Sequence, residues 1–131
     1  MSPLAKLGFG PEVLHVLTTT GRKSGNPRST PVNVMEFNDE RWIVSPYGER
    51  GWVKNVRAGG GEARIRRGSR DEAVYLEEAD AETAAPILKE YIRTTPITRP
   101  YFDLTPDSPK DAFVAEAAKH PVYRIVAKGS A

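Results

Sequence analysis

Glu12-Val13-Leu14-His15-Val16-Leu17-Thr18-Thr19-Thr20, then Gly21-Arg22-Lys23-Ser24-Gly25-Asn26-Pro27-Arg28, then Ser29 to Phe37: the fold turns on how this run is read. The first segment is rich in β-branched residues and apolar on both faces, which predicts a buried strand. The second holds two glycines, an Asn-Pro pair and a serine, the composition of a turn. The third reads as another strand. Pro31 confines it to an edge or a bulge, because proline has no N–H to give to a ladder. Strand, turn and strand make an antiparallel hairpin.

The same pattern continues on the C-terminal side. Asn38-Asp39-Glu40 predicts a turn and 41–45 a third strand. Residues 46–51 form a loop, and 52–58 are long enough for two helical turns before Gly59-Gly60-Gly61 stops them. Ala63 and Ile65 alternate with Arg64 and Arg66, as on a half-exposed strand. A turn at 68–71 leads into a strand over 72–78. Asp80 is placed to cap a helix over 81–93, whose apolar stripe is Ala84, Ile87, Leu88, Tyr91 and Ile92. Ser108 and Pro109 open a second helix reaching Lys119, Pro121 closes it, and 122–126 is a last strand. About six strands joined by tight turns, with two or three inserted helices, predict a mainly β (α+β) fold. The absence of strand–helix–strand alternation favours a closed or nearly closed antiparallel barrel over a doubly wound sheet.

A chain of 131 residues suits a single domain over 1–131, and 39% hydrophobic with 27% charged residues is globular rather than disordered. There is no cysteine, which removes disulfides, thiolate nucleophiles and sulfur-held metals. The two histidines, His15 and His120, are far apart, so no metal site is expected. No Gly-x-Gly-x-x-Gly and no Walker loop occurs, which disfavours a nicotinamide Rossmann site or an NTPase. No stretch approaches the roughly 20 apolar residues of a membrane span, and the N-terminus lacks a secretory pattern. The expected compartment is the cytoplasm, with peripheral membrane contact as an alternative. Charge is unevenly spread: residues 1–70 hold 12 Lys and Arg against 6 Asp and Glu, a balance of +6. Residues 71–131 hold 7 against 11, a balance of −4. A basic half attracts anions.

Three segments are candidates for that role. In the turn after the first strand, Arg22, Lys23 and Arg28 surround Ser24 and glycine-bared backbone, which is what a phosphate or polycarboxylate needs. A solvated basic turn that keeps a hairpin soluble is the plainer alternative. In 45–55 an aromatic, a glycine loop and a helix start coincide, and a helix start offers unpaired N–H groups to an anion. Trp52 and Val56 are spaced as core residues. Asn55 and Lys54 point elsewhere, Asn55 either toward a ligand or toward buried backbone groups. Arg64, Arg66, Arg67 and Arg70 form a third cluster. It lacks the interleaved aromatics of a nucleic-acid surface, so no nucleic-acid partner is expected. His120 reads as a helix-end cap, His15 as a hydrogen-bonded core residue, and Tyr47, Tyr101 and Tyr123 as proton donors or pocket walls.

Leu17–Val32 with the Gly-Arg-Lys-Ser-Gly-x-Pro-Arg turn, followed by Trp52-Val53-Lys54-Asn55-Val56-Arg57-Ala58, resembles the deazaflavin-dependent nitroreductase and F420H2-dependent quinone reductase family. The tail from Arg99-Pro100-Tyr101-Phe102-Asp103 to Tyr123 is similar to short actinobacterial members. The resemblance implies a flavin-reductase-like split β-barrel with coenzyme F420 as hydride carrier. It implies that Arg22, Lys23, Ser24, Gly25, Pro27 and Arg28 bind the phosphodiester and oligoglutamate tail. Ser45, Gly48, Trp52 and Asn55 would then line the deazaflavin ring and ribityl chain. The acceptor would be a quinone, an activated enone or a nitro compound, with Tyr47 or Tyr101 as catalytic proton donor. Monomer and homodimer are both compatible. The rival expectations are an FMN-binding reductase, and a non-catalytic barrel that binds a fatty acid or another apolar anion.

Overall fold

The structure is a computed structural model that describes residues 12–46, 48, 50–94, 102 and 104–128, with the side chains of Glu12 and Val13 outside the description. Tyr47 and Tyr101 lie outside the described residues, as does most of the 99–103 stretch. Among the described residues six strands occur in chain order: β1 (Glu12–Thr20), β2 (Pro27–Phe37), β3 (Glu40–Val44), β4 (Glu62–Arg67), β5 (Arg70–Glu78) and β6 (Val122–Ala127). Helix α1 (Gly51–Ala58) joins β3 to β4, while α2 (Ala81–Thr94) and α3 (Lys110–Glu116) lie between β5 and β6. The strands close into a barrel in the order β1-β2-β3-β6-β5-β4. Every neighbouring pair is antiparallel, and β1 meets β4 through Val16–Arg66, Leu17–Ile65 and Thr18–Arg64.

The tight turns are those the residues favour. Asn38 and Asp39 both take positive φ, at 53° and 64°. That is the two-residue hairpin geometry asparagine and aspartate tolerate best after glycine. Asp80 Oδ1 accepts from the Thr83 backbone N–H at 2.8 Å and starts α2.

Two apolar clusters divide the molecule. One fills the barrel with Leu17, Val34, Ile43, Ile65, Val74, Leu76, Tyr123 and Ile125, and α1 inserts Val53 and Val56 into it. Each buried valine is worth about 1.5–3 kcal/mol against exposure, enough to fix so short a helix against the barrel. The other cluster lies outside the wall, where Met35, Trp42, Val44 and Val122 pack against Ala84, Leu88, Tyr91 and Ile92 of α2 and Phe113 of α3. Strand β3 is thus covered on both faces, by barrel interior and helix layer.

Several expectations need correction. β1 is not buried on both faces: it is barrel wall, with Leu17 and Thr19 inside and Leu14 63% exposed. His15 is not a core residue but lies partly exposed at the barrel mouth beside Glu36, Arg41 and Glu72. β2 begins at Pro27, two residues before the expected start. Pro109 is the N-cap of α3 rather than its first helical residue, and that helix ends at Glu116 before a 3-10 turn over Ala117–Lys119. Pro86 sits inside α2, where it gives up the bond its N–H would make to the Glu82 carbonyl.

Candidate anion cleft

The basic turn between β1 and β2 is held shut by its own backbone. Gly21 N–H donates to the Asn26 carbonyl at 2.8 Å, and Gly25 N–H to the Gly21 carbonyl at 2.8 Å. Gly25 has φ +72°, which an L side chain adopts only with strain. A Cβ at residue 21 would come within 2.7 Å of Ser24 Oγ and 3.1 Å of the Asn26 carbonyl oxygen. The two glycines therefore let the turn fold tightly enough to present its cations on one side.

Helix α1 fixes the turn from below. Asn55 is buried at 7% exposure, and its Oδ1 accepts from the Arg22 backbone N–H at 3.2 Å and from Arg22 Nη1 at 2.8 Å. Its Nδ2 donates to Thr19 Oγ1 at 3.2 Å. One amide thus ties α1 to the end of β1 and the first residue of the turn, across more than thirty positions of sequence. Arg22 Nη1 also approaches the Gly51 carbonyl at 3.5 Å. Behind α1, Trp52 leans on Tyr123 with ring centroids 5.6 Å apart. The Tyr123 hydroxyl donates to Glu78 Oε1 at 3.0 Å, and Arg57 grips the same carboxylate through two bonds of 3.0 and 2.8 Å. Burial, reinforced by the adjacent Glu78 charge, pushes the Tyr123 hydroxyl far above its ordinary value and keeps it neutral. It is a buried strut.

Between turn and helix opens a cleft of about 570 Å³, lined by Thr19, Gly21, Arg22, Lys23, Ser24, Arg28, Ser29, Thr30, Arg50, Gly51, Trp52 and Asn55. Its chemistry is four cationic side chains, four hydroxyl groups at Thr19, Ser24, Ser29 and Thr30, and one aromatic wall. No carboxylate is among the described lining residues. The cleft also faces the start of α1, where the first N–H groups of a helix have no intrahelical acceptor. Such a donor set suits an elongated anion carrying phosphate or carboxylate groups.

Of the residues anticipated from sequence, Arg22, Lys23, Ser24, Arg28, Trp52 and Asn55 come together here. Gly25 and Pro27 face a separate depression on the far side of the turn, with Glu62, Arg64 and Lys128. Ser45 and Gly48 are not on the cleft wall: Ser45 is buried, its Oγ donates to the Gly48 carbonyl, and its N–H donates to the Pro121 carbonyl at 2.8 Å. Sequence reasoning missed Thr19, Ser29, Thr30, Arg50 and Gly51. The hydroxyls were readable as neighbours of a basic turn, whereas Arg50 reaches the cleft only because α1 plugs the barrel beside it. No group of three or more His, Asp or Glu suited to a metal ion occurs among the described residues.

A sequence model of the family described as F420H(2)-dependent quinone reductase matches residues 6–101. Among solved structures, an F420-H2 dependent reductase (FDR-A) superposes with a TM-score of 0.57 at 21% identity, covering 86% of this chain and 92% of that one. An F420 reductase gives a TM-score of 0.53 at 14% identity, covering 98% and 96% of the two chains. An FAD-binding protein from Mesorhizobium loti gives 0.56 at 12% identity, covering 98% and 89%. Likeness at this identity establishes the shared fold, a flavin-reductase-like split barrel. No curated protein matches the sequence.

Proposed function

We propose that this chain, which belongs to the F420H(2)-dependent quinone reductase family, is an oxidoreductase that holds reduced deazaflavin in the cleft and delivers its hydride to an organic acceptor. The observation that carries this reading is the cleft itself, lined by cations and hydroxyls with no described carboxylate among them. Coenzyme F420 carries a phosphodiester and a glutamate chain, so its tail is polyanionic, and the donor set fits it.

In this reading Lys23 and Arg28 hold the tail's charges, and Ser24, Ser29 and Thr30 donate to its oxygens. Arg22 does two things. Part of its guanidinium is committed to Asn55 and the Gly51 carbonyl, and the residue also lines the cleft. Asn55 accordingly acts through Arg22, because its Oδ1 already accepts two bonds from that residue. Arg50 and the start of α1 close the other wall, and the partly buried Trp52 ring flanks it. When bound, the coenzyme supplies a two-electron hydride, which suits quinones, activated enones and nitro groups as acceptors. The chain's part is to orient and to exclude water. Tyr47 or Tyr101 is proposed to deliver the accompanying proton.

Titrating F420 with the purified protein and following the coenzyme's fluorescence tests the proposal, with FMN and a fatty acid as comparison ligands. Saturable binding of F420, tighter than that of either comparison ligand, supports it. Preference for the fatty acid or for FMN would replace it with one of the rival readings.

A further inference from the structure

Two titratable side chains that the cleft does not use lie buried against the loop leading into it. His120 and Glu116 expose only 4% and 5% of their surface. The His120 ring stacks on Phe102 with centroids 3.9 Å apart. Its Nδ1 lies 2.9 Å from the Pro46 carbonyl oxygen, and its Nε2 lies 3.1 Å from Glu116 Oε2. Groups this polar persist in a packed interior only where hydrogen bonds offset their lost hydration.

We propose that His120 and Glu116 form a positioning pair, which fixes Ser45, Pro46 and Gly48, and through them the Arg50–Gly51 wall of the cleft, by means of one proton held between them. The inference rests on the reductase reading of that cleft. A carbonyl oxygen can only accept, so Nδ1 carries a hydrogen and donates it to Pro46. With Nδ1 committed, Nε2 of a neutral imidazole is a bare acceptor, and an ionised carboxylate is acceptor-only as well. The contact to Glu116 therefore needs one further proton, on the ring or on the carboxyl. Its removal sets two lone pairs against each other in a buried space. The ring then has to turn, and the Pro46 carbonyl loses its donor.

The surroundings transmit such a change. Lys119 Nζ reaches the other carboxylate oxygen of Glu116 at 3.3 Å, the charged neighbour from the pair's own segment. Among the described residues the pair also meets the Pro46 carbonyl and the Phe102 ring, and that ring lies 6.3 Å from Tyr91 of α2. Around Pro46 the described residues form a relay of hydrogen bonds. Gly48 N–H donates to the Ser45 carbonyl at 3.3 Å, and Arg50 N–H to the Gly48 carbonyl at 2.9 Å. The Arg50 carbonyl then accepts from Val53 and Lys54 N–H at 3.0 and 3.2 Å, which begins α1. A shift at Pro46 thus moves the residues that frame the cleft.

The test uses nuclear magnetic resonance of the full chain over a pH series, reading the His120 ring nitrogens and the Gly48 and Arg50 amides, alongside F420 titrations at each pH. In the wild type the two amides are expected to step in position together with the His120 ring. E116Q supplies an N–H to Nε2 without the extra proton, so the step is expected to vanish while F420 affinity is kept. H120F keeps the stack on Phe102 but has no donor. It is expected to displace both amides at every pH, leave the Ile65 and Val74 amides in place, and weaken F420 roughly tenfold, the effect of one lost buried hydrogen bond. A step that persists in E116Q, or amides unmoved in H120F, would overturn the pairing. F420 that fails to bind while the step and its loss in E116Q are seen would instead refute the reductase reading and leave the pair standing.

Discussion

At one end of the barrel Arg22, Lys23, Arg28 and Arg50 line a cleft with no carboxylate among its described residues, whereas at the other Arg41, Arg67 and Arg70 share a cavity of about 620 Å³ with Glu36, Asp71 and Glu72. At the second end the acids stand among the bases, and one pair is in direct contact. Arg41 makes a two-pronged contact with Glu72 at 2.8 Å through each nitrogen, and close by on the barrel surface Arg64 Nε meets Asp71 at 3.1 Å. A cation and a carboxylate in contact present a dipole to solvent, whose field fades within a Debye length of about 8–10 Å. Two ends with similar numbers of arginines thus differ in what they attract. The position of the acids, more than the count of bases, marks the anion site.

The largest effect expected from this contrast is on coenzyme binding. R22A/K23A should weaken F420 by tenfold or more, since each charge-assisted hydrogen bond is worth about 1.5–3 kcal/mol. R67A/R70A, with the same loss of charge at the opposite end, should leave the affinity unchanged. Fluorescence titration of both variants measures the difference, and equal losses would mean that net charge alone draws the ligand.

Asn55 comes next. N55A strands the Arg22 backbone N–H and the Thr19 hydroxyl, so it should lower stability in urea by about 1–3 kcal/mol and loosen F420 binding as the turn drifts from α1. A variant that loses stability but binds normally would show that the turn keeps its shape unaided. Salt sharpens the contrast further: F420 affinity should fall as ionic strength rises, which titrations at two salt concentrations would show. An affinity indifferent to salt would contradict a charge-lined site.

The smallest effects belong to the paired end. E72Q should change stability by less than about 1 kcal/mol, as is usual for partly exposed ion pairs. It should also flatten the acid side of the stability curve. The bond from Arg41 holds the Glu72 carboxyl below its ordinary value of 4.5, and the bond from Arg57 does the same for Glu78. The unfolded chain therefore takes up protons first as pH falls. This contribution is complete above about 4.5 and is lost as pH drops through the lowered folded values. Thermal melts over a pH series, wild type against E72Q, would show a shallower acid slope in the variant.

Sequence patterns disclosed what neighbouring residues decide. The Gly21–Arg28 turn, the Asn38–Asp39 hairpin bend, the Asp80 cap and the alternation of Ala63 and Ile65 with Arg64 and Arg66 follow from backbone preference and period, and each matches an element. Closure of the barrel through β1 and β4 brings together residues about fifty positions apart, and no local pattern encodes it. That closure is why the apolar pattern of β1 suggests burial on both faces where only one is covered. Leu14 is apolar and by pattern suits an interior, yet it stands on the outer wall, while His15 lines the open mouth. The candidate site divides in the same way. Its cations stood out as a cluster, but the link from Asn55 to Arg22 and the arrival of Arg50 depend on where α1 docks. Ser45 and Gly48 belong to the loop behind the cleft, a placement their spacing from Trp52 does not reveal.

The most direct test of an anion site at one end of the barrel is amide chemical-shift mapping of the full chain while F420 is added. Perturbations concentrated in residues 19–30 and 50–55, with the 65–72 region unmoved, are the predicted result. Perturbations centred on His15, Arg41 and Arg67–Glu72, or spread evenly over both ends, would contradict it.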